Sequence, residues 1–279
     1  MSSLGLGTSK DTFFTRGNQT GINHGMAGNF PVNDNHVELD LFIATLSTGP
    51  VGFGDGLGST NRTLLMQCCG ADGTILKPTV AATPIDATWA QQGRRPPVVA
   101  NEAAAAIWTA HTEVGGMFWQ FALAVDVPSA FQLLPADFWP RTGPSVLSRK
   151  WHAPPCADGA EASSCGVSAE LPDAETGVPD RRPGVANKGH HFWELSTISP
   201  VTVAGVALLG ELDKVVAVAA SRFVAVTVTA AGGLSVTVRG AARETVRLTF
   251  SVSGRIKVVA LTVAASPGTV STTVEPTAK

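Results

Sequence analysis

Val224-Ala-Val-Thr-Val-Thr229, Leu234-Ser-Val-Thr-Val-Arg239 and Thr245-Val-Arg-Leu-Thr-Phe-Ser-Val252 are three runs in which apolar and polar residues alternate with a period of two. Successive side chains of an extended chain point to opposite faces, so each run sends one set inward and the other to water. The inward sets are Val224, Val226 and Val228, then Leu234, Val236 and Val238, then Val246, Leu248, Phe250 and Val252. Gly232-Gly233, Gly240 and Ser253-Gly254 punctuate the runs at hairpin spacing. The expected fold is mainly β, an antiparallel sandwich or meander. Such a sheet implies no chemistry by itself.

Two further strands are expected upstream. Ala104-Ala-Ala-Ile-Trp-Thr-Ala-His111 and Phe118-Trp-Gln-Phe-Ala-Leu-Ala-Val-Asp126 are joined near Gly115-Gly116, and their nearly continuous apolar character points to burial on both faces. Residues 140–190 are rich in Pro, Gly, Asp and Ser and read as a long loop insertion. At the other end, residues 1–36 read as loop. In Val37-Glu-Leu-Asp-Leu-Phe-Ile-Ala-Thr-Leu46, residues Leu39, Phe42, Ile43 and Leu46 fall at i, i+3, i+4 and i+7, one face of a short helix. Thr48 to Asp55 reads as a short strand breaking into a glycine loop. A second helix is expected over residues 61–69, with Ser59, Thr60 or Asn61 as its N-cap and Gly70 just past its end.

The 279 residues are 44% hydrophobic and 15% charged, enough apolar content for a sizeable core and too much for a disordered chain. A net charge of −2 gives no electrostatic footprint for nucleic acid, and no uninterrupted apolar run is long enough for a membrane-spanning helix. Residues 196–279 carry eight Lys/Arg against four Asp/Glu, so the C-terminal third is basic while the rest is acidic. The first ten residues show no signal-peptide pattern, which fits a cytoplasmic chain or one whose true N-terminus lies elsewhere. In the second case the expected compartment is secreted or lumenal.

Four cysteines form two close pairs. Adjacent Cys68 and Cys69 would face opposite ways in an extended chain, and read as two buried small side chains. Cys156 and Cys165 bracket a polar stretch, where a loop-closing disulfide and two free thiols are both open readings. Asn18 and Asn61 head glycosylation-type triplets. Neither the scattered histidines nor the cysteines have metal-ligand spacing, so no metal or cofactor is expected. The glycines from Gly49 to Gly58 match no phosphate-binding loop. The six tryptophans could stack on sugars, although Trp108 and Trp119 lie inside strand-like runs, where a core role competes.

Ser9-Lys-Asp-Thr-Phe-Phe-Thr15, Leu41 to Asp55, Asn61-Arg-Thr-Leu-Leu-Met66 and Ala71-Asp-Gly-Thr-Ile-Leu-Lys-Pro78 follow one another in a recognisable order. The series resembles the end of the catalytic barrel in α-galactosidase and raffinose-synthase-type glycoside hydrolases. Ser47-Thr48-Gly49-Pro50 with Asp55 corresponds to that family's strand end, Thr48 standing where the family has Gly, and Asp72-Gly73 with Leu76-Lys77 corresponds to its turn. Val206-Ala-Leu-Leu-Gly-Glu-Leu-Asp-Lys214 is similar to the segment before its last antiparallel strands. The resemblance implies a small α/β remnant of a (β/α)8 barrel over residues 1–80, then an antiparallel β-sandwich over 81–279.

It also implies that catalysis needs two carboxylates about 5–5.5 Å apart for a retaining reaction. In the family both lie on middle barrel strands, before the Gly-Pro strand end, so no residue of this chain inherits either role. The expectation is a glycoside-hydrolase-like C-terminal region, inactive alone. Asp55 would touch a sugar hydroxyl or serve as a turn aspartate, and Trp119 would contact carbohydrate. The rival expectation is a non-catalytic β-sandwich that binds carbohydrate or a protein partner through exposed Trp.

Overall fold

The computed structural model describes residues 12–19, 32–33, 36–88, 106–127, 131–174, 176, 192–265 and 268–277. Short strands β1 (Asn18–Gln19) and β2 (Val32–Asn33) pair antiparallel, in a stretch expected to be loop. Helix α1 (Val37–Leu46) has the expected bounds but is buried on more than one face: Leu39, Leu41, Phe42, Ala44 and Leu46 are inside, while Ile43 is 38% exposed. Helix α2 (Arg62–Leu65) is a single turn, capped by the Asn61 side chain accepting from the Leu64 N–H at 3.2 Å.

Six strands make the largest sheet: β3 (Val80–Pro84), β4 (Ala106–Val114), β5 (Met117–Val125), β6 (Val146–Lys150), β7 (Val167–Ser168) and β8 (Trp193–Pro200). Their order is β3-β4-β5-β8-β6-β7, antiparallel throughout. β4 and β5 close on Gly115 and Gly116, both with positive φ, the backbone that a two-residue type I′ turn requires. The sheet is buried on both faces, as its apolar runs implied. Trp119, Phe121 and Leu123 of β5 join Trp193 and Leu195 of β8 in one cluster, and Ala122, Ala124 and Ile198 join Leu133 and Phe138 in a second, on the opposite face. The expected loop over 140–190 is corrected in its described part, because β6 and β7 belong to this sheet. Val146-Leu-Ser-Arg-Lys150 carries only two aliphatic residues, so its burial comes from pairing with β8, which periodicity cannot register.

The C-terminal third forms two three-stranded sheets. One is β13-β12-β9, from β9 (Val206–Gly210), β12 (Thr245–Val252) and β13 (Arg255–Thr262). The other is β10-β11-β14, from β10 (Phe223–Val228), β11 (Leu234–Gly240) and β14 (Gly268–Val274). Leu234, Val236 and Val238 share a core with Val246, Leu248 and Phe250 across the two sheets, as the alternation implied. The first run departs from it. A bulge between Phe223 and Ala225 resets the register, so Phe223 and Val226 are buried while Val224 is 45% exposed; Val228, on the Val226 face at the end of the strand, is 55% exposed.

That core does not stop at the sandwich. Phe13, Leu41, Phe42, Leu64 and Leu76 belong to the same cluster as Trp119, Trp193, Leu208 and Phe250, so residues before 80 and after it share one apolar interior. Each fully buried Leu, Val or Phe contributes about 1.5–3 kcal/mol relative to exposure.

Candidate functional site

Phe13 and Phe53 form a parallel bridge, with Gly54 N–H donating to the Phe13 carbonyl at 2.8 Å, and α1 lies between them in the chain. It is the one parallel pairing among the described residues, and parallel neighbours need such a crossover. Two residues beyond each side of the bridge stand Thr15 and Asp55. Asp55 accepts from the Thr15 N–H at 2.8 Å, from the Thr15 hydroxyl at 2.6 Å and from the Gln19 amide. Burial raises the Asp55 pKa, but the donors of Thr15 and Gln19 outweigh it and hold the carboxyl below its usual range. Thr15 Oγ1 in turn accepts from the Asn61 N–H at 2.7 Å. Both Asp55 oxygens are engaged within the chain, in the manner of a turn anchor.

An open cleft of about 580 Å³ lies between α2 and the loop after β9, lined by Arg62, Thr63, Met66, Gln67, Trp151 and Lys214 together with Leu212 and Asp213. Trp151 is half-buried; its indole N–H donates to Glu38 Oε1 at 3.2 Å and its ring meets Phe42 edge-on at 5.0 Å. Lys214 Nζ donates to the Met66 carbonyl at 2.7 Å, and the Val215 N–H donates to the Gln67 carbonyl at 2.9 Å, so α2's continuation fixes the opposite wall. The cleft thus offers one aromatic wall, two cations, a hydroxyl, an amide and one carboxylate. That carboxylate, Asp213, is 75% exposed and 3.7 Å from Lys214. Such a set can hydrogen-bond and stack on a polyol; among the described residues that line the cleft, no second carboxylate completes an acid–nucleophile pair.

His152, next to the cleft's tryptophan, sits between two carboxylates. Its Nδ1 is 3.3 Å from Glu194 Oε2 and its Nε2 is 3.9 Å from Glu38 Oε2. Its ring also packs edge-on against Trp193, at 4.8 Å. Burial lowers the imidazole pKa, but Glu194 and Glu38 outweigh it and lift the value to about 9. A charged imidazole therefore fills the space between Glu38 and Glu194, and the two carboxylates act as its partners. Residues 38, 152 and 194 are far apart in the chain, and no local spacing signals their meeting. Trp151 and His152 lay inside the stretch that composition marked as loop.

Trp119 is a core residue, which corrects its expected contact with carbohydrate. It is fully buried, and its indole N–H donates to the Leu208 carbonyl at 2.8 Å, so neither ring face is open to a ligand. Trp108 is 39% and Trp139 83% exposed. Cys156 and Cys165 are joined by a disulfide, while Cys68 and Cys69 are free thiols. Asn61 spends its side-chain oxygen on the α2 cap; the Asn18 side chain lies outside the described residues, as do Trp89, His24, His190 and His191. Among the described residues no group of three or more His, Cys, Asp or Glu is arranged to hold a metal ion, and no helix is long and apolar enough to cross a membrane. Compared with protein-family models and with curated proteins, the chain matches none.

Proposed function

We propose that this chain is the C-terminal region of a glycoside-hydrolase-like protein, a last strand–helix–strand unit of a (β/α)8 barrel followed by an antiparallel β-domain, and that alone it hydrolyses no glycoside. The observation that carries the reading is the parallel bridge between Phe13 and Phe53 across α1, with Asp55 two residues past Phe53. Barrel enzymes build their sites at the C-terminal ends of such strands. The residues that make this unit are those that resemble the family's barrel end. The cleft beside Trp151, with its single carboxylate, is then a sugar-contacting surface without catalysis, and no cofactor is needed for that role.

The test uses the purified chain with an aryl α-galactoside and, in parallel, oligosaccharide titration followed by tryptophan fluorescence. The expected outcome is a background hydrolysis rate together with a saturable fluorescence change that Trp151→Ala removes. Hydrolysis above background that disappears on a single change such as Asp213→Asn overturns the inactive reading. A fluorescence signal indifferent to every oligosaccharide tried overturns the sugar-contact reading.

A further inference from the structure

We propose that Cys68 and Cys69 form a vicinal dithiol site that exchanges with small-molecule disulfides and closes reversibly into a disulfide between neighbouring residues. Their sulfurs are 3.1 Å apart. The backbone makes this meeting. Cys68 continues the turn after α2, its N–H donating to the Leu65 carbonyl at 3.1 Å, whereas Cys69 is extended and bridges Ile75. The change from helical to extended conformation between the two residues turns both thiols to the same side, which corrects the expectation that they point apart.

The pair is asymmetric in the way exchange chemistry requires. Cys68 is 1% exposed, and its thiol also reaches the Leu65 carbonyl at 3.1 Å. Cys69 is half-buried and therefore the thiol that solvent can reach. The hydrogen bond between the two sulfurs lowers the Cys69 pKa, with Lys214 nearby acting in the same direction, while that bond and burial raise the pKa of Cys68. The Cys69 thiolate attacks one sulfur of a disulfide RSSR, forming a mixed disulfide and releasing the first RS⁻. The Cys68 thiol then attacks Cys69 Sγ, passing its proton to the departing sulfur, and the second RSH leaves. In balance, two protein thiols and RSSR give one protein disulfide and two RSH; the thiols are oxidised and RSSR is reduced.

Neighbouring Cα atoms lie only about 3.8 Å apart across a trans peptide, below the usual Cα separation of a disulfide. The ring therefore strains the 68–69 peptide, and thiols reopen it readily.

The test is to incubate the full chain with oxidised glutathione, denature it in iodoacetamide and weigh the peptide holding both residues. The expected peptide is two hydrogens lighter than the dithiol and unalkylated, and takes two alkyl groups after dithiothreitol. Cys68→Ser is expected to stop at the glutathione adduct on Cys69, and Cys69→Ser to react about tenfold more slowly or less. A wild-type chain that stops at the glutathione adduct, or whose two thiols both remain open to alkylation, overturns the proposal without reference to either variant.

Discussion

Arg222 carries one positive charge and faces two carboxylates. It is 3% exposed; its Nε lies 3.1 Å from Glu211 Oε2, and both terminal nitrogens bind Glu244. The division is unequal. Burial works to raise Glu244, but Arg222 and the N–H groups of Ala241 and Ala71 outweigh it and hold the carboxyl at about 2. Glu211 is left with the single Nε contact, and there burial wins over Arg222 and lifts the pKa to about 7. Two consequences follow at neutral and acid pH. Because folding raises the Glu211 value from 4.5 to about 7, the folded state holds that proton more tightly, and Glu211 removes stability as pH rises across that window. Glu244 behaves oppositely, contributing stability above its ordinary value of 4.5 and losing it as pH falls towards about 2. Replacing Arg222 by Met strands both carboxylates and is expected to cost about 3–5 kcal/mol in urea unfolding at pH 7, with a smaller loss at pH 5, where Glu211 is protonated.

At the scale of elements, the segment from Cys156 to Cys165 behaves as an added edge to the β13-β12-β9 sheet. The Gly159 N–H donates to the Ile256 carbonyl and the Ile256 N–H to Ala160, both at 2.8 Å, while Asp158 accepts from the Val258 N–H. The segment thereby occupies ladder groups of β13 that would otherwise be open to another chain. Its disulfide closes a short loop, and a short loop loses less chain entropy than a long one. Cys156→Ser with Cys165→Ser is expected to cost about 2–3 kcal/mol in urea unfolding. Amide exchange is expected to quicken first at Ile256 and Val258 and to leave β12 protected; uniform quickening across the sheet would mean that the loop only tightens the unfolded chain. The β4–β5 turn is constrained differently. A Cβ on Gly115, whose φ is +61°, would fall 2.1 Å from the Val226 carbonyl oxygen, so the hairpin tip meets β10 only because that residue has no side chain.

Over the whole molecule, His152 ties α1 to the six-stranded sheet through Glu38 and Glu194, beside the ring contacts that Phe42 makes with Trp151 and Trp193. Its raised pKa turns this tie into a pH dependence. The stabilisation is complete below the unfolded value of 6.5 and is lost as pH rises through about 9. Above about pH 8, where Glu211 has finished titrating, the melting temperature is expected to fall towards pH 9, and His152→Gln is expected to lower it at pH 6.5 and remove that fall. A fall that persists in the variant would assign it to another group. Since residues 13–76 and the strands after 80 share one apolar cluster, near- and far-ultraviolet circular dichroism are expected to report a single melting transition.

The sequence by itself determined the β class, the alternating faces of β11, the inward set of β12 (though its Thr249 and Ser251, expected in water, are buried too), the β4–β5 hairpin and the position of α1, because each follows from local periodicity and turn chemistry. It misled where a neighbour overrode the local pattern. A bulge exposes Val224, and pairing with β8 makes a strand of residues 146–150. Only the tertiary structure decided that Trp119 is core, that the sulfurs of Cys68 and Cys69 meet, and that Trp151, His152, Glu38 and Glu194 gather at one place. Those outcomes depend on contacts across many residues of chain or on one backbone turn between neighbours, and neither leaves a periodic trace in the order of amino acids.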